Sequence, residues 1–549
     1  MSLITASAAE TAILPFGSLA WFKRELAPTR LREIRTAIMV GGTVLCVVIS
    51  MALQVPSLDL SAYMVFFLSK ETKRLTILTG LLGLIGATVG IGEAILLYKF
   101  TYGHPELRIP GMAITFFLGM YLSRVFVLGP LGFLIGFVSS YGLSVAEQAP
   151  SPEVLVRQVL WIWVAIAYGA AVTVVINSLF LPDPASAGAK PAKPKRSELS
   201  TASRRPDGRH LFVPDAFTNP AHVHFALKAT FAAMFCYIFY SAIDWTGIHT
   251  AFITCTFIAL ESTGATLHKG VLRIGGAIIG GALALFIIVV LMPHMVTIAS
   301  LVVVVACACA IAGWVATGSE MISYAGLQIA FAFFYSVFQG YAPDTDLDNV
   351  RDRVVGILFG LIVTGVVFAY IWPERTIDRL RDTLRVSLRQ LAQLLEIPRP
   401  KTSIQTAKAE AHSSIAATSK SFEQARRYVQ LSQFEFEESP DHERISLGNL
   451  ETALLRAEDI FAVATSLARD QAWDEWHQLP SAAKNAESEL RNVAAKRIDR
   501  ATTGDVTDDT DADLSTALHA WNETVQRQRP ESSRTALVSQ IAAEVQHLE

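Results

Sequence analysis

Apolar runs of roughly membrane length recur along the first 372 residues and then stop. They fall near 34–53, 58–68, 75–98, 109–127, 129–146 and 156–181, and again near 223–243, 247–260, 270–292, 296–316, 320–340 and 353–372. A helix needs about 20 apolar residues to cross a bilayer. The second run of each set is shorter, which predicts a tilted, re-entrant or shielded segment. Beyond Pro373 the pattern becomes amphipathic: Leu380, Leu384, Leu388, Leu391 and Leu395 recur every three or four residues, the period of a helix with one apolar face. Further helices are expected near 403–436, 443–470, 480–502, 511–528 and 533–548, broken at Pro398, Pro400, Pro440 and the run from Gly504. The expectation is an all-α polytopic membrane protein of about twelve spans, carrying a cytoplasmic helical bundle.

The second set repeats the first at an offset of 190 positions. Phe67 matches Phe257, Glu71 matches Glu261 and Gly80 matches Gly270, while Gly86, Ala87 and Gly90 match Gly276, Ala277 and Gly280. Six spans per half is an even number, so both halves enter and leave on one side. That predicts a parallel repeat about an axis along the membrane normal. The chain then divides into a cytoplasmic N-terminal segment (1–33), a first six-span repeat (34–181), a flexible linker rich in Pro, Ala, Ser and Lys (182–221), a second six-span repeat (222–373) and the helical domain (374–549).

Charge orients this arrangement. With the N-terminus in the cytoplasm, Lys23, Arg24, Arg30, Arg32, Arg35, Lys70, Lys73, Arg74, Lys269 and Arg375 all fall inside, and the acidic segments 146–153 and 343–348 fall outside. Both termini are expected in the cytoplasm. Residues 13–22 read either as an interfacial helix, with Trp21 and Phe22 at headgroup depth, or as a tail. Hydrophobic residues make up 52% and charged residues 17% of the chain, with a mean hydropathy of +0.39. A soluble chain carries about 25% charge. The five cysteines lie in apolar runs without metal-ligand spacing, so neither disulfide nor metal is expected. No Gly-x-x-x-x-Gly-Lys-Ser/Thr occurs, which argues against transport driven by the chain's own ATP hydrolysis. No enzymatic activity, cofactor or nucleic-acid partner is expected.

Charges within or beside spans are the candidate chemistry. Glu71 and Glu261 sit in equivalent polar hinges and Glu93 lies mid-span. A carboxylate buried there could exchange protons near neutral pH; the alternative is helix capping or pairing with neighbouring cations. Arg273, Lys269, Lys73, Arg74 and Arg124 are candidates for binding an anion, since the guanidinium fork matches a carboxylate, and the alternative is topological anchoring. Arg273 stands one turn before Gly276 and is the strongest of them. Gly86, Gly90, Gly276 and Gly280 form small-residue faces that pack helices within one chain or between copies. Glu320 lies at a span end. His249, near Asp244, reads as a solvated loop histidine, and Phe331, Phe333, Phe334, Tyr335 and Phe338 read as packing residues.

Residues 226–280, with Arg273, Gly276 and Gly280 in an Arg-x-x-Gly-x-x-x-Gly pattern, together with a last span closing on Trp372-Pro373, resemble the fusaric acid resistance family. These are bacterial inner-membrane exporters of the aromatic acid exporter type. The first half is the weaker match, with Leu181-Pro182 at its end and Gly83 where the second half has Arg273. The resemblance implies export of aromatic or related organic acids, with a separately encoded periplasmic adaptor and outer-membrane channel. A passive organic-anion channel and a membrane scaffold whose tail recruits a partner remain open alternatives.

Overall fold

The computed structural model describes residues 18–145, 151–182, 211–259, 262–340, 342–343, 347–397, 404–435, 440–468, 470–503, 508–528 and 533–546. Two compact units divide the chain, one ending at Pro373 and one beginning at Glu374.

The first unit opens with α1 (Leu19–Glu25), capped by Ser18. Trp21 is only 2% exposed, so it anchors α1 inside the protein rather than at headgroup depth. Arg32 secures the same corner, donating to the carbonyls of Glu25 (2.6 Å) and Trp314 (2.9 Å). Six helices follow: α2 (Arg30–Leu53), α3 (Leu58–Leu68), α4 (Lys73–Thr101), α5 (Pro105–Val125), α6 (Gly129–Ser144) and α7 (Pro152–Phe180). Six more complete the unit: α8 (Pro220–Ala242), α9 (Thr250–Ile258) after a 3₁₀ turn at Thr246–His249, α10 (Thr263–Phe286), α11 (Ile298–Ala316), α12 (Ser323–Val337) and α13 (Asp348–Tyr370).

Seven of these, α2, α4, α7, α8, α10, α11 and α13, are long and apolar enough to cross a membrane. Leu53, Phe100, Phe180, Val303 and Ile362 are each more than 60% exposed. Apolar exposure on that scale suits lipid, and helices satisfy their own backbone there. The protein is an all-α, multi-pass membrane protein.

Local chemistry sets the helix ends. Thr72 caps α4 through the Leu75 amide and Ser262 caps α10 through the Ala265 amide, both at 3.3 Å. The Ser262 cap makes the polar stretch from Thr263 to Lys269 helical, so α10 starts two turns before its apolar run. The chain turns through the left-handed region at Gln54 (φ 53°) and Asp244 (φ 54°). Residues 211–219, expected within a flexible linker, are instead fixed: Val127 donates to Leu211 (3.0 Å) and Val213 to Val125 (2.9 Å) at the end of α5. Residues 183–210 lie outside the described part.

Close helix contacts occur at glycines. A Cβ at Gly90 would lie 2.8 Å from the Ile135 carbonyl oxygen, and one at Gly86 2.8 Å from the Leu134 Cβ, so α4 seats directly on α6. A Cβ at Gly276 would lie 2.6 Å from the Ala325 oxygen, and one at Gly280 2.8 Å from the Ala332 Cβ, so α10 seats on α12 in the same way. Across the unit α5 packs on α8, α11 on α2 and α3 on α12. A two-residue hairpin (Phe338–Gln339 with Ala342–Pro343) turns at Gly340 (φ 65°), whose carbonyl accepts from Leu58 at 3.0 Å. Cys46, Cys236, Cys255 and Cys309 are buried and Cys307 is exposed.

The second unit contains α14 (Thr376–Leu395), α15 (Ile404–Ser432), α16 (Pro440–Leu467), α17 (Asp470–Gln478), α18 (Ser481–Thr503), α19 (Asp508–Gln528) and α20 (Ser533–Gln546). The leucine stripe of α14 is buried throughout. Helix α17 was not expected. Its short span hides its period, yet Trp473 buries and donates to the Ala468 carbonyl at 3.2 Å. Glu487, fully buried, accepts from Arg491 (3.2 Å) and from Arg534 (2.6 and 3.0 Å). Such a cluster is tolerable inside because each charge is met by an opposite one.

Candidate functional site

Two stripes of side chains meet where α3 packs on α12. On α3, Asp59, Tyr63 and Phe67 recur every fourth residue and share a face. On α12, Tyr324, Gln328, Phe331 and Tyr335 share a face at spacings of four, three and four. The Tyr63 and Phe331 rings lie 4.7 Å apart. Phe67 meets Phe257 of α9 at 6.5 Å, and Phe257 lies 5.0 Å from Phe137 of α6. Phe133, Phe137 and Tyr141 stack along α6 at 6.1 and 6.0 Å. These rings are half-buried, apart from the buried Tyr63, and they pack against the two hydrophobic cores that border the cleft.

Two arginines enter this lining from the second half. Arg273 is 1% exposed. Its Nε donates to Thr254 Oγ1 (3.0 Å) and its Nη1 to the Tyr324 hydroxyl (3.1 Å) and Gln328 Oε1 (3.0 Å). Its Nη2 has no hydrogen-bond partner. Arg353 of α13 is 2% exposed, and none of its three guanidinium nitrogens has a hydrogen-bond partner. Its guanidinium lies 4.0 Å from the Phe331 centroid and 4.7 Å from that of Tyr335. Cation–π contact offsets part of the desolvation, but a buried cation with unused donors is costly. Its neighbour Asp352 is engaged elsewhere, accepting from Arg351 at 2.8 Å. The arrangement is one that an anion with an apolar ring would complete.

The sequence-derived candidates scatter around this cleft. Arg273 lies in it, and Lys269 stands over the Tyr324 ring at 4.8 Å, one turn away. Glu71 has a side chain 75% exposed and pairs with Arg35 at 3.5 Å, so the burial that a proton carrier needs is not found there. Glu261 lies outside the described residues. Glu93 is half-buried and accepts from Thr115 at 3.1 Å. Lys73 is half-buried in the first turn of α4, beside the exposed Arg74. Arg124 joins α5 to α8, donating to the Ala221 carbonyl (3.4 Å) and lying 4.9 Å from the Phe225 ring. Glu320 lies in the loop between α11 and α12.

Two expectations are corrected. His249 is not a solvated loop residue: its Nε2 shares a hydrogen bond with the Tyr335 hydroxyl at 2.9 Å. Among the aromatics of α12 and the hairpin after it, Phe333, Phe334 and Phe338 are buried packing residues, but Phe331 and Tyr335 face Arg353. Asp59 and Arg353 were missed. Both stand at the polar start of an apolar run, where a charge passes for a span boundary. For Asp59 the signal was its i, i+4 register with Tyr63; Arg353 has no aromatic residue at that spacing, and nothing in its local sequence marked it.

The sequence profile of the fusaric acid resistance protein family matches residues 222–548, more than half of the chain, and the chain belongs to that family. The match begins at α8 and covers both arginines. Multidrug resistance protein MdtO of Escherichia coli O157:H7 is 25% identical over 515 residues, spanning 69% of this chain and 75% of the relative. MdtO of Escherichia coli strain K12 aligns to the same extent. MdtO of Shigella flexneri is 38% identical over 188 residues, spanning 34% of this chain and 28% of the relative.

Proposed function

We propose that the protein is an inner-membrane efflux transporter for aromatic or other hydrophobic organic acids, with both termini in the cytoplasm. The observation that carries this reading is the cleft itself, which sets two buried arginines with unused N–H donors among half-buried rings. An aromatic carboxylate offers a charge for the arginines and a ring for the lining. The resistance named in the MdtO relatives supports an outward direction. The twelve helices act as two six-span repeats. Support comes from the paired N-caps Thr72 and Ser262, the paired left-handed turns at Gln54 and Asp244, and the paired glycine seats. One half rocks against the other around the cleft. The proton-motive force drives the cycle, and a periplasmic adaptor with an outer-membrane channel carries the substrate onward.

The test is flux in proteoliposomes. Labelled aromatic acids are loaded, a pH gradient and a membrane potential are imposed in turn, and wild type is compared with Arg273→Gln and Arg353→Gln. Uphill movement that both substitutions abolish is expected. Movement only down the substrate gradient would make the protein a passive anion channel. Replacing Glu71, Glu93 and Glu261 singly by Gln then identifies which carboxylate couples to the gradient.

A further inference from the structure

We propose that Asp59 is the resident counter-ion of Arg353, and that an organic carboxylate exchanges with it while Asp59 takes up one proton. This rests on the reading of the cleft as an organic-anion site. Asp59 stands in the first turn of α3, on the face that carries Tyr63 and Phe67. Tyr63, one turn on, packs its ring against Phe331, which itself lies beneath the Arg353 guanidinium. The chain of contacts from Asp59 through Tyr63 and Phe331 ends at Arg353, and all three Arg353 nitrogens lack a hydrogen-bond partner. The Asp59 carboxylate therefore stands on the same lining as the cation without a hydrogen bond to it. That geometry leaves the guanidinium fork open to a ligand.

A ligand carboxylate in the fork would make charge-assisted, bidentate bonds that Asp59 does not make. Two carboxylates would then share one cation, and like charges at close range disfavour double ionisation. The ligand, held in the fork, keeps its charge. Asp59 takes up a proton through solvent and becomes neutral, and the buffer acid that gives up the proton is left as its conjugate base.

The other groups facing the site are poorly placed for this role. Tyr63, Tyr141, Tyr324 and Tyr335 are phenols, ordinarily neutral below about pH 10. His249 is held between the Thr246 carbonyl (3.1 Å) and the Tyr335 hydroxyl (2.9 Å). Asp352 is bound by Arg351, and Arg273 is fixed by its three bonds. A purely structural Asp59 would hold the first turn of α3 by accepting from the Leu60 amide. The amide oxygen of Asn can accept the same bond, so Asp59→Asn removes the charge and keeps the acceptor.

The experiment is calorimetric titration of the purified full-length protein with benzoate at pH 8, in two buffers of different ionisation enthalpy. The difference counts the protons taken up on binding. Wild type should take up about one proton per benzoate, and its affinity should weaken as pH rises. Asp59→Asn should bind benzoate about tenfold more tightly at pH 8, the equivalent of one pKa unit, with no proton uptake. Binding by wild type without proton uptake would overturn the exchange and leave the anion site standing. Undiminished uptake in Asp59→Asn would overturn it equally. If wild type and Arg353→Gln bind benzoate alike, or wild type binds none, the anion-site reading itself fails. The proton count is taken on wild type, so the proposal stays testable if the variant does not assemble.

Discussion

Among the helices from α2 to α7, α4 follows a Thr72 cap, seats Gly90 on α6 and carries Gly83 one turn before Gly86. Among the helices from α8 to α13, α10 follows a Ser262 cap, seats Gly280 on α12 and carries Arg273 one turn before Gly276. The short helices before them carry Asp59, Tyr63 and Phe67 in one half and His249, Ile253 and Phe257 in the other. Frame and chemistry thus have different origins. Caps and small residues set how helices end and how near they come, and many side chains are compatible with that. The charge of the cleft depends on single positions, and both of its arginines belong to the second half.

The comparison breaks most sharply at the arginines. Arg273→Gln and Arg353→Gln should each lower flux about 100-fold at unchanged yield, near the upper worth of a charge-assisted hydrogen bond. Adding Gly83→Arg to Arg273→Gln should not restore it, because the partners Thr254, Tyr324 and Gln328 lie in the other half. Restoration in the flux assay would mean that the halves are chemically interchangeable.

Next come the glycine seats. Gly90→Leu and Gly280→Leu should each destabilise the protein by about 2–3 kcal/mol through overpacking, read by thermal unfolding in detergent. If only one does so, the two seats are not built alike. Phe67→Ala and Phe257→Ala should each weaken benzoate binding by about fivefold, the scale of one aromatic contact. Unequal losses would show which half holds the ring. The smallest effect belongs to the caps: Thr72→Ala and Ser262→Ala should each cost about 1 kcal/mol, with flux unchanged below the melting temperature.

The membrane helices were legible because lipid demands long apolar runs, and a 20-residue run is hard to mistake. Their ends were less so. Thr263–Lys269 is polar yet helical, because one Ser262 hydroxyl outweighs composition locally. Helix α17 was hidden by its brevity. At the cleft, Arg273 stood out by its place before a packing glycine. Arg353 did not, because Arg351-Asp352-Arg353 reads as a span boundary until α3, from far earlier in the chain, brings Tyr63 and Asp59 beside it. Periodicity reports which face is buried and is silent on which distant face covers it.

The cysteines turn the molecule into its own blank for chemical labelling. Four of the five thiols are buried and Cys307 is exposed, so a Cys307→Ser protein should be nearly silent to maleimides while its interior is untouched. Reporter thiols placed at two chosen sites, one in each half, would then carry spin labels against an empty background. The distance between them would show directly, in nanometres and in real membranes, how far the halves part when an anion enters.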